Sequence, residues 1–409
     1  MPAPPAITTR SHRAPARRPY LLVALLRCVL YVTPLSVAAA AADPIARVAW
    51  PVPLATLLLG WAAAQTLTCT GISIARRAGP GAAARLVGSG FAGAAGLWCS
   101  LVWMAPVPLV GPDRGQALVV GLGGLGTLAT VTAALVTRAE AVVVFWSLPC
   151  WVLGGATLAR LAGESVLDAV PIGLLLPAAI VVPLIRAFQP VAVLSGCVHP
   201  PRLTPAELRR SGGYLIIGAA QAVCVGLVWQ AGPAGSTVPF WLPLLLAVPI
   251  LEALIGWHTR QLDARPATAG DDYRRHVRGV TWITLTGLLP PFGVGVALAL
   301  AAYLRPARLP SFADTPAGAL GLAAGTLLGG VFALTYLLAA RNRTGIAATL
   351  AAAPPLLTAA LPFLPLPSSG PLPDAVAVLA TTHLAGLLVV ALTASPAPDL
   401  ALDDPRRKP

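Results

Sequence analysis

The sequence predicts an all-α polytopic membrane protein: about twelve transmembrane helices in two six-helix lobes, with both termini in the cytoplasm. Three observations predict it, namely the scarcity of charge, the number and length of the apolar runs, and the side on which the arginines fall. Of the 409 residues, 11% are charged and 56% hydrophobic, and mean hydropathy is +0.78. A soluble domain carries roughly 25% charged residues. With less than half of that, most of the outer surface has to face lipid.

Apolar runs fall at 19–42, 48–74, 86–110, 116–137, 140–161 and 166–187, and then at 213–232, 237–257, 279–303, 316–340, 344–365 and 374–395. Each approaches or exceeds the roughly 20 residues that cross a bilayer as a helix. A helix also satisfies its own backbone hydrogen bonds where no water is present. The expected organisation is a cytoplasmic tail over 1–18, a first lobe over 19–187, a cytoplasmic connector over 188–212, a second lobe over 213–395 and a cytoplasmic tail over 396–409.

The arginines test this map independently. With the N-terminus inside, 22 Lys and Arg residues fall on the inner side. Only Arg47, Arg114, Arg160, Arg305 and Arg308 fall outside, and Arg27 lies within the first span. That is the bias of the positive-inside rule. One missed or extra span would invert every later connector and erase it.

The same placement explains the net charge of +13. The charges sit in connectors, so the partners they imply are membrane lipids, and no nucleic acid. One Lys (Lys408) among abundant Arg, Ala, Gly and Pro points to a GC-rich bacterial genome, hence to the inner (plasma) membrane of a bacterium. Arg17-Arg18-Pro19-Tyr20-Leu21-Leu22 resembles a twin-arginine export signal. Arg27 interrupts its apolar core, and the charge bias holds only if the first span stays, so a retained first helix is expected. The six cysteines are scattered with no CxxC pair, which gives no disulfide framework and no metal knuckle.

Local chemistry sets several boundaries. Thr204-Pro205-Ala206-Glu207 reads as a capping box with proline at the first helical position. Asp314-Thr315-Pro316 and Pro373-Asp374 are expected just before the tenth and twelfth spans, and Thr137–Glu140 leaves room only for a tight hairpin. Prolines inside spans, among them Pro34, Pro149, Pro183, Pro290 and Pro354, predict kinks. Short similarities link the halves, as in Arg17–Leu21 and Arg209–Leu215.

Polar groups within spans are functional candidates by default, because burying them in lipid is costly. Arg27 leads, roughly 10 Å into the bilayer. It either snorkels to the inner headgroups or faces a central cavity able to hold an anion. Glu252 is expected to pair with Arg27 or with a connector arginine. His383, near the middle of its span, is a proton-relay group or a packing histidine. Gln65 and Gln221, with Thr66, Thr68 and Thr70, could line a cavity or bridge helices. No span carries the paired acids of an ion-coupled pump. The sequence has no Walker A loop and no HExxH, GxSxG or CxxC motif, so no cofactor, metal or catalytic residue is expected.

The stretch Pro239–Gly279 carries a resemblance. Leu242-Pro243-Leu244, Val248-Pro249-Ile250-Leu251-Glu252, Thr259-Arg260-Gln261 and Asp272-Tyr273-Arg274-Arg275-His276 together are similar to the eighth-to-ninth span region of polysaccharide exporters. Those exporters belong to the superfamily of multidrug-extrusion proteins and oligosaccharide-lipid flippases, and the stretch is most like the membrane subunit for Pel-type polysaccharide. The resemblance implies a transporter that exports or flips an anionic lipid-linked oligosaccharide or polysaccharide by alternating access. It also implies polysaccharide-biosynthesis proteins as partners. It covers about a tenth of the chain.

Three other readings stand beside it. A major-facilitator-type drug or metabolite exporter has the same layout, but Gly71-Ile72-Ser73-Ile74-Ala75-Arg76-Arg77-Ala78-Gly79 lacks the aspartate of that family's loop. A membrane-embedded glycosyltransferase or polymerase would need an outward acid, for which Asp43, Asp113, Glu164, Asp168 and Asp314 are the candidates. The last is a structural subunit that transports nothing.

Overall fold

The computed structural model describes residues 20–161, 170–193, 203–232, 254–262, 270–304, 315–363 and 370–394. The first half comprises α1 (Tyr20–Ala40), α2 (Pro51–Ala78), α3 (Pro80–Met104), α4 (Arg114–Thr137), α5 (Glu140–Trp146), α6 (Leu148–Leu161) and α7 (Ile172–Val193). The second comprises α8 (Pro205–Ala231), α9 (254–262), α10 (Gly270–Leu304), α11 (Pro316–Ala340), α12 (Thr344–Ala360) and α13 (Pro371–Leu392). Among the described residues there is no strand. Ten helices among the described residues are long and apolar enough to span a bilayer, and the bent pair α5–α6, counted as one span, makes an eleventh. The expected eighth span, 237–257, lies outside the described residues up to 253. The chain is an all-α polytopic membrane protein.

The bend between α5 and α6, 46°, has a local cause. Pro149 lacks the N–H that would bond back to Phe145, and its ring crowds that carbonyl. Ser147 at the break turns its hydroxyl onto the Val143 carbonyl at 2.8 Å.

Several helices start earlier than hydropathy alone places them. α3 begins at Pro80 rather than 86, α8 at Pro205 rather than 213, and α10 at Gly270 rather than 279. In each case an arginine-bearing opening segment, with Arg85 in α3, Arg209 and Arg210 in α8, and Arg274, Arg275 and Arg278 in α10, extends the helix beyond the apolar run, into what hydropathy reads as connector. Pro373-Asp374 is a further correction. It lies inside the first turn of α13, which begins at Pro371 after Gly370.

Each half is built round one enclosed helix, α4 in the first and α11 in the second. Neither has a charged residue past its first position, and α11 is apolar on every side, so no face of it prefers water. Their alanines and glycines let neighbours approach closely, which drives helix packing where lipid offers no hydrophobic contrast. In the first half, α2, α3 and α7 surround α4, with α1 against α6. In the second, α10, α12 and α13 surround α11. α1 is integral to the first half: Leu30 is fully buried, and Trp151 donates its indole N–H to Thr33 at 3.1 Å.

Exposed aromatics mark the bilayer edges. Trp50 opens α2, Trp103 closes α3, Trp229 closes α8 and Tyr303 closes α10, all exposed. These four ends are the ones that the arginine bias places outside, where amphipathic rings collect at the headgroups. At the opposite end Arg186 lies over the Trp146 ring, 4.4 Å from its centre.

Candidate functional site

Among the described residues, the two halves meet chiefly along α2 and α8. The pair runs antiparallel: Leu54 lies against Gly226, Ala62 and Gln65 against Gly218, and Arg77 against Glu207. Gly218 makes the approach possible. A Cβ there would stand 3.0 Å from the Ala62 Cα, the Trp61 carbonyl oxygen and the Gln65 Cγ.

At mid-depth this seam carries a hydrogen-bond network in otherwise apolar surroundings. Trp61 donates its indole N–H to Gln221 Oε1 at 2.9 Å, and Tyr336 donates its hydroxyl to the same oxygen at 3.1 Å. Gln221 Nε2 donates to Thr335 Oγ1 at 3.0 Å, and Thr335 passes its own proton to the Phe332 carbonyl. Gln65 Nε2 donates to Tyr336 Oη at 2.5 Å. The direction of the chain is forced, because an indole N–H can only donate and so must face the amide oxygen of Gln221. Gln221 is fully buried, while Trp61, Gln65 and Tyr336 are half-buried. One amide thereby ties α2 to α8 and α11.

α2 continues this polarity towards its arginine end. Trp61, Gln65, Cys69, Ser73 and Arg77 recur every four residues and so lie along one stripe of the helix. Below the network, Cys69, Thr70, Ser73, Ala206, Glu207 and Arg210 line a crevice of about 130 Å³. Arg77 closes its side with a 3.1 Å ion pair to Glu207. Glu207 also completes the expected capping box, accepting the Thr204 N–H at 2.9 Å while Thr204 Oγ1 accepts the Glu207 N–H.

The other sequence candidates lie elsewhere. Arg27 pairs with Glu140 at 3.5 Å within the first half, in place of a cavity between the halves. Glu140 is buried in the first turn of α5, directly after the tight α4–α5 turn in which Arg138 takes a positive φ of 59°. The pair sits at the arginine-rich end of the bundle, the end that the positive-inside rule assigns to the inner side. Glu252 lies outside the described residues. His383 is fully buried in the second half, with its ring against the Gly330 backbone and Phe292 at 5.3 Å. The Leu327 and Leu288 carbonyls are near, but neither ring nitrogen reaches hydrogen-bond geometry. Of the five candidates, the structure joins two, Gln65 and Gln221.

The Arg27–Glu140 pair carries a prediction. Arg27→Ala leaves a buried carboxylate without this cation and is expected to cost about 2 kcal/mol. That is less than a fully buried pair would lose, because the Arg27 side chain is 36% exposed. Arg27→Ala with Glu140→Gln should recover most of it. Thermal unfolding of the four proteins in detergent, analysed as a double-mutant cycle, checks this; additive losses would show that the pair does not couple.

Sequence reasoning missed Trp61, Thr335 and Tyr336. The four-residue spacing from Trp61 to Arg77 was the available signal. It also missed a second buried group at the arginine-rich end, where His258 Nδ1 meets Thr284 Oγ1 at 2.8 Å. Burial foremost, and Arg341 second, push that histidine down to about 4, which keeps the ring neutral at neutral pH. Asp113, one of the outward acids, caps α4 by accepting the Gln116 N–H at 2.9 Å.

No family model matches the sequence, and no curated protein matches it. Among solved structures the chain is similar to the eukaryotic MATE transporter AtDTX14, at 13% identity and a TM-score of 0.47, over 91% of this chain and 94% of that one. What the sequence and the structure establish together is a polytopic helical membrane protein whose two halves meet across a hydrogen-bonded seam.

Proposed function

We propose that the chain is a membrane transporter of the bacterial inner membrane, exporting or flipping a lipid-linked oligosaccharide or polysaccharide by alternating access between lobes 19–187 and 213–395. The observation that carries this reading is the mid-depth network of Trp61, Gln65, Gln221, Thr335 and Tyr336 between the halves. A seam made of neutral hydrogen bonds can exchange them for water or substrate hydroxyls at little net cost, which an apolar seam cannot do. Amide and aromatic groups are also the side chains that suit a hydroxyl-bearing, ring-shaped ligand. Proline-bent helices such as α5–α6 favour a bundle that flexes. The likeness of Pro239–Gly279 to sugar exporters supports the substrate class.

Gln65→Ala tests it. Tyr336 keeps its bond to Gln221 in that variant, so the fold survives while the half-buried amide is lost. In a deletion strain complemented at matched membrane levels, Gln65→Ala is expected to restore less surface polysaccharide than wild type. If deletion leaves every surface polymer unchanged, the sugar reading fails. Increased drug susceptibility in that strain would move a drug exporter ahead, since the same seam serves that motion.

A further inference from the structure

The crevice between Cys69, Thr70, Ser73, Ala206, Glu207 and Arg210 lies at the end of the seam where Arg76, Arg77, Arg209 and Arg210 converge from both halves. Its volume of about 130 Å³ gives room for about four waters, or for a phosphate group and part of its substituent in their place. The charges around it do not balance. Glu207 Oε2 is already engaged by Arg77 and by the Thr204 N–H. Among the described residues Arg210 has no carboxylate within 4 Å. The hydroxyls of the wall are directed as well: Thr70 gives its proton to the Thr66 carbonyl at 2.8 Å, and Ser73 to the Cys69 carbonyl at 3.3 Å. Both therefore present lone pairs to the crevice, which suit a donor. A guanidinium beside two hydroxyl acceptors is complementary to an anionic phosphate that carries hydroxyl groups.

We infer that this crevice is a binding site for an anionic phosphoglycerol headgroup, with Arg210 holding the phosphate and Ser73 and Thr70 accepting from the glycerol hydroxyls. The charge bias places the crevice at the depth of the inner-leaflet headgroups, where such a group is presented by lipid. Because α2 contributes one wall and α8 the other, a bound headgroup bridges the two halves. The inference is independent of the substrate proposed above.

Cys69 supplies the readout, since its thiol shares the crevice with Arg210. The experiment uses the full chain with Cys69 as its sole cysteine, in nanodiscs of phosphatidylcholine with or without phosphatidylglycerol, and follows alkylation by a membrane-permeant maleimide. Phosphatidylglycerol is expected to slow modification about tenfold, as a charge-assisted phosphate contact would. Arg210→Gln should abolish the protection. Arg210→Lys should retain part of it, and Arg209→Gln, which changes the same charge outside the crevice wall, should retain all of it. A monodisperse chromatographic profile shows that each variant is folded. A second arm adds soluble glycerol phosphate to protein in phosphatidylcholine. Equal protection there assigns the site to a free phosphoglycerol, and protection by the lipid alone assigns it to a headgroup. The inference is overturned if neither protects Cys69, if Arg210→Gln and Arg209→Gln behave alike, or if Cys69 of the folded protein stays inert while the unfolded protein reacts.

Discussion

Gly330→Leu is expected to abolish the folded protein, and Gly330→Ala to lower its stability by about 3 kcal/mol, at the upper end of ordinary overpacking. The cause is one contact. A Cβ on Gly330 would stand 1.8 Å from Cε1 of His383, 2.4 Å from Nδ1 and 2.8 Å from Nε2. A flexible side chain could swing away, but this ring is fully buried and meets Phe292 on another side. α11 is enclosed on all sides, so the strain has no surface at which to relax. The remedy should lie in the ring. Gly330→Ala with His383→Ala is expected to resemble His383→Ala alone, which is a coupling of about 3 kcal/mol. Detergent-phase thermal unfolding of the four proteins measures it. Two additive losses would mean that the damage comes from the α11 backbone instead. The unpartnered ring nitrogens sharpen the point: an apolar residue of similar shape removes two unsatisfied polar atoms, so His383→Leu should be close to neutral.

The second large effect is expected at Gln221. Gln221→Leu removes a side chain that accepts from Trp61 and Tyr336 and donates to Thr335. Interhelical hydrogen bonds in membranes average about 0.6 kcal/mol each, so three amount to about 2 kcal/mol. The Trp61 indole then keeps a donor with nothing to receive it, which adds to the loss. Gln65→Ala breaks a single bond of the same network and should cost less than half as much. Unfolding temperatures of the two variants in one detergent decide between a connected network and a set of unrelated contacts. Near-equal losses would remove Gln221 from its central position.

The membrane class could be read from the sequence because lipid imposes coarse constraints that composition records. Span length, charge scarcity and arginine placement each depend on many residues, so no single substitution hides them. The capping box at Thr204–Glu207 was legible for a local reason, since its groups lie within four residues. The site was only half legible. Gln65 and Gln221 stood out because amides are scarce in spans, but their common partner Tyr336 lies in an apolar run where a lone aromatic signals nothing. The pairing of Arg27 was hidden for another reason. Glu140 sits at a connector, where an acid looks solvated, and only the tight turn around Arg138 folds it under α1. Hydropathy misplaced the starts of α3 and α10, where an arginine-bearing segment extends the helix past the apolar run, as in the nine residues of α10 before 279, whereas the capping box located the start of α8 at Pro205.

The network also fixes an order of assembly. Trp61 and Gln65 enter the membrane long before their partners exist: Gln221 follows Trp61 by 160 residues, and Tyr336 follows Gln65 by 271. At a ribosomal pace of roughly 5–20 residues per second, α2 waits on the order of 15–50 s with an indole and an amide turned towards lipid or a chaperone. Its seam face is completed only when α11 has been made. A nascent chain stalled before that point carries an exposed polar stripe in the bilayer, a feature by which membrane quality control could tell it from a finished one.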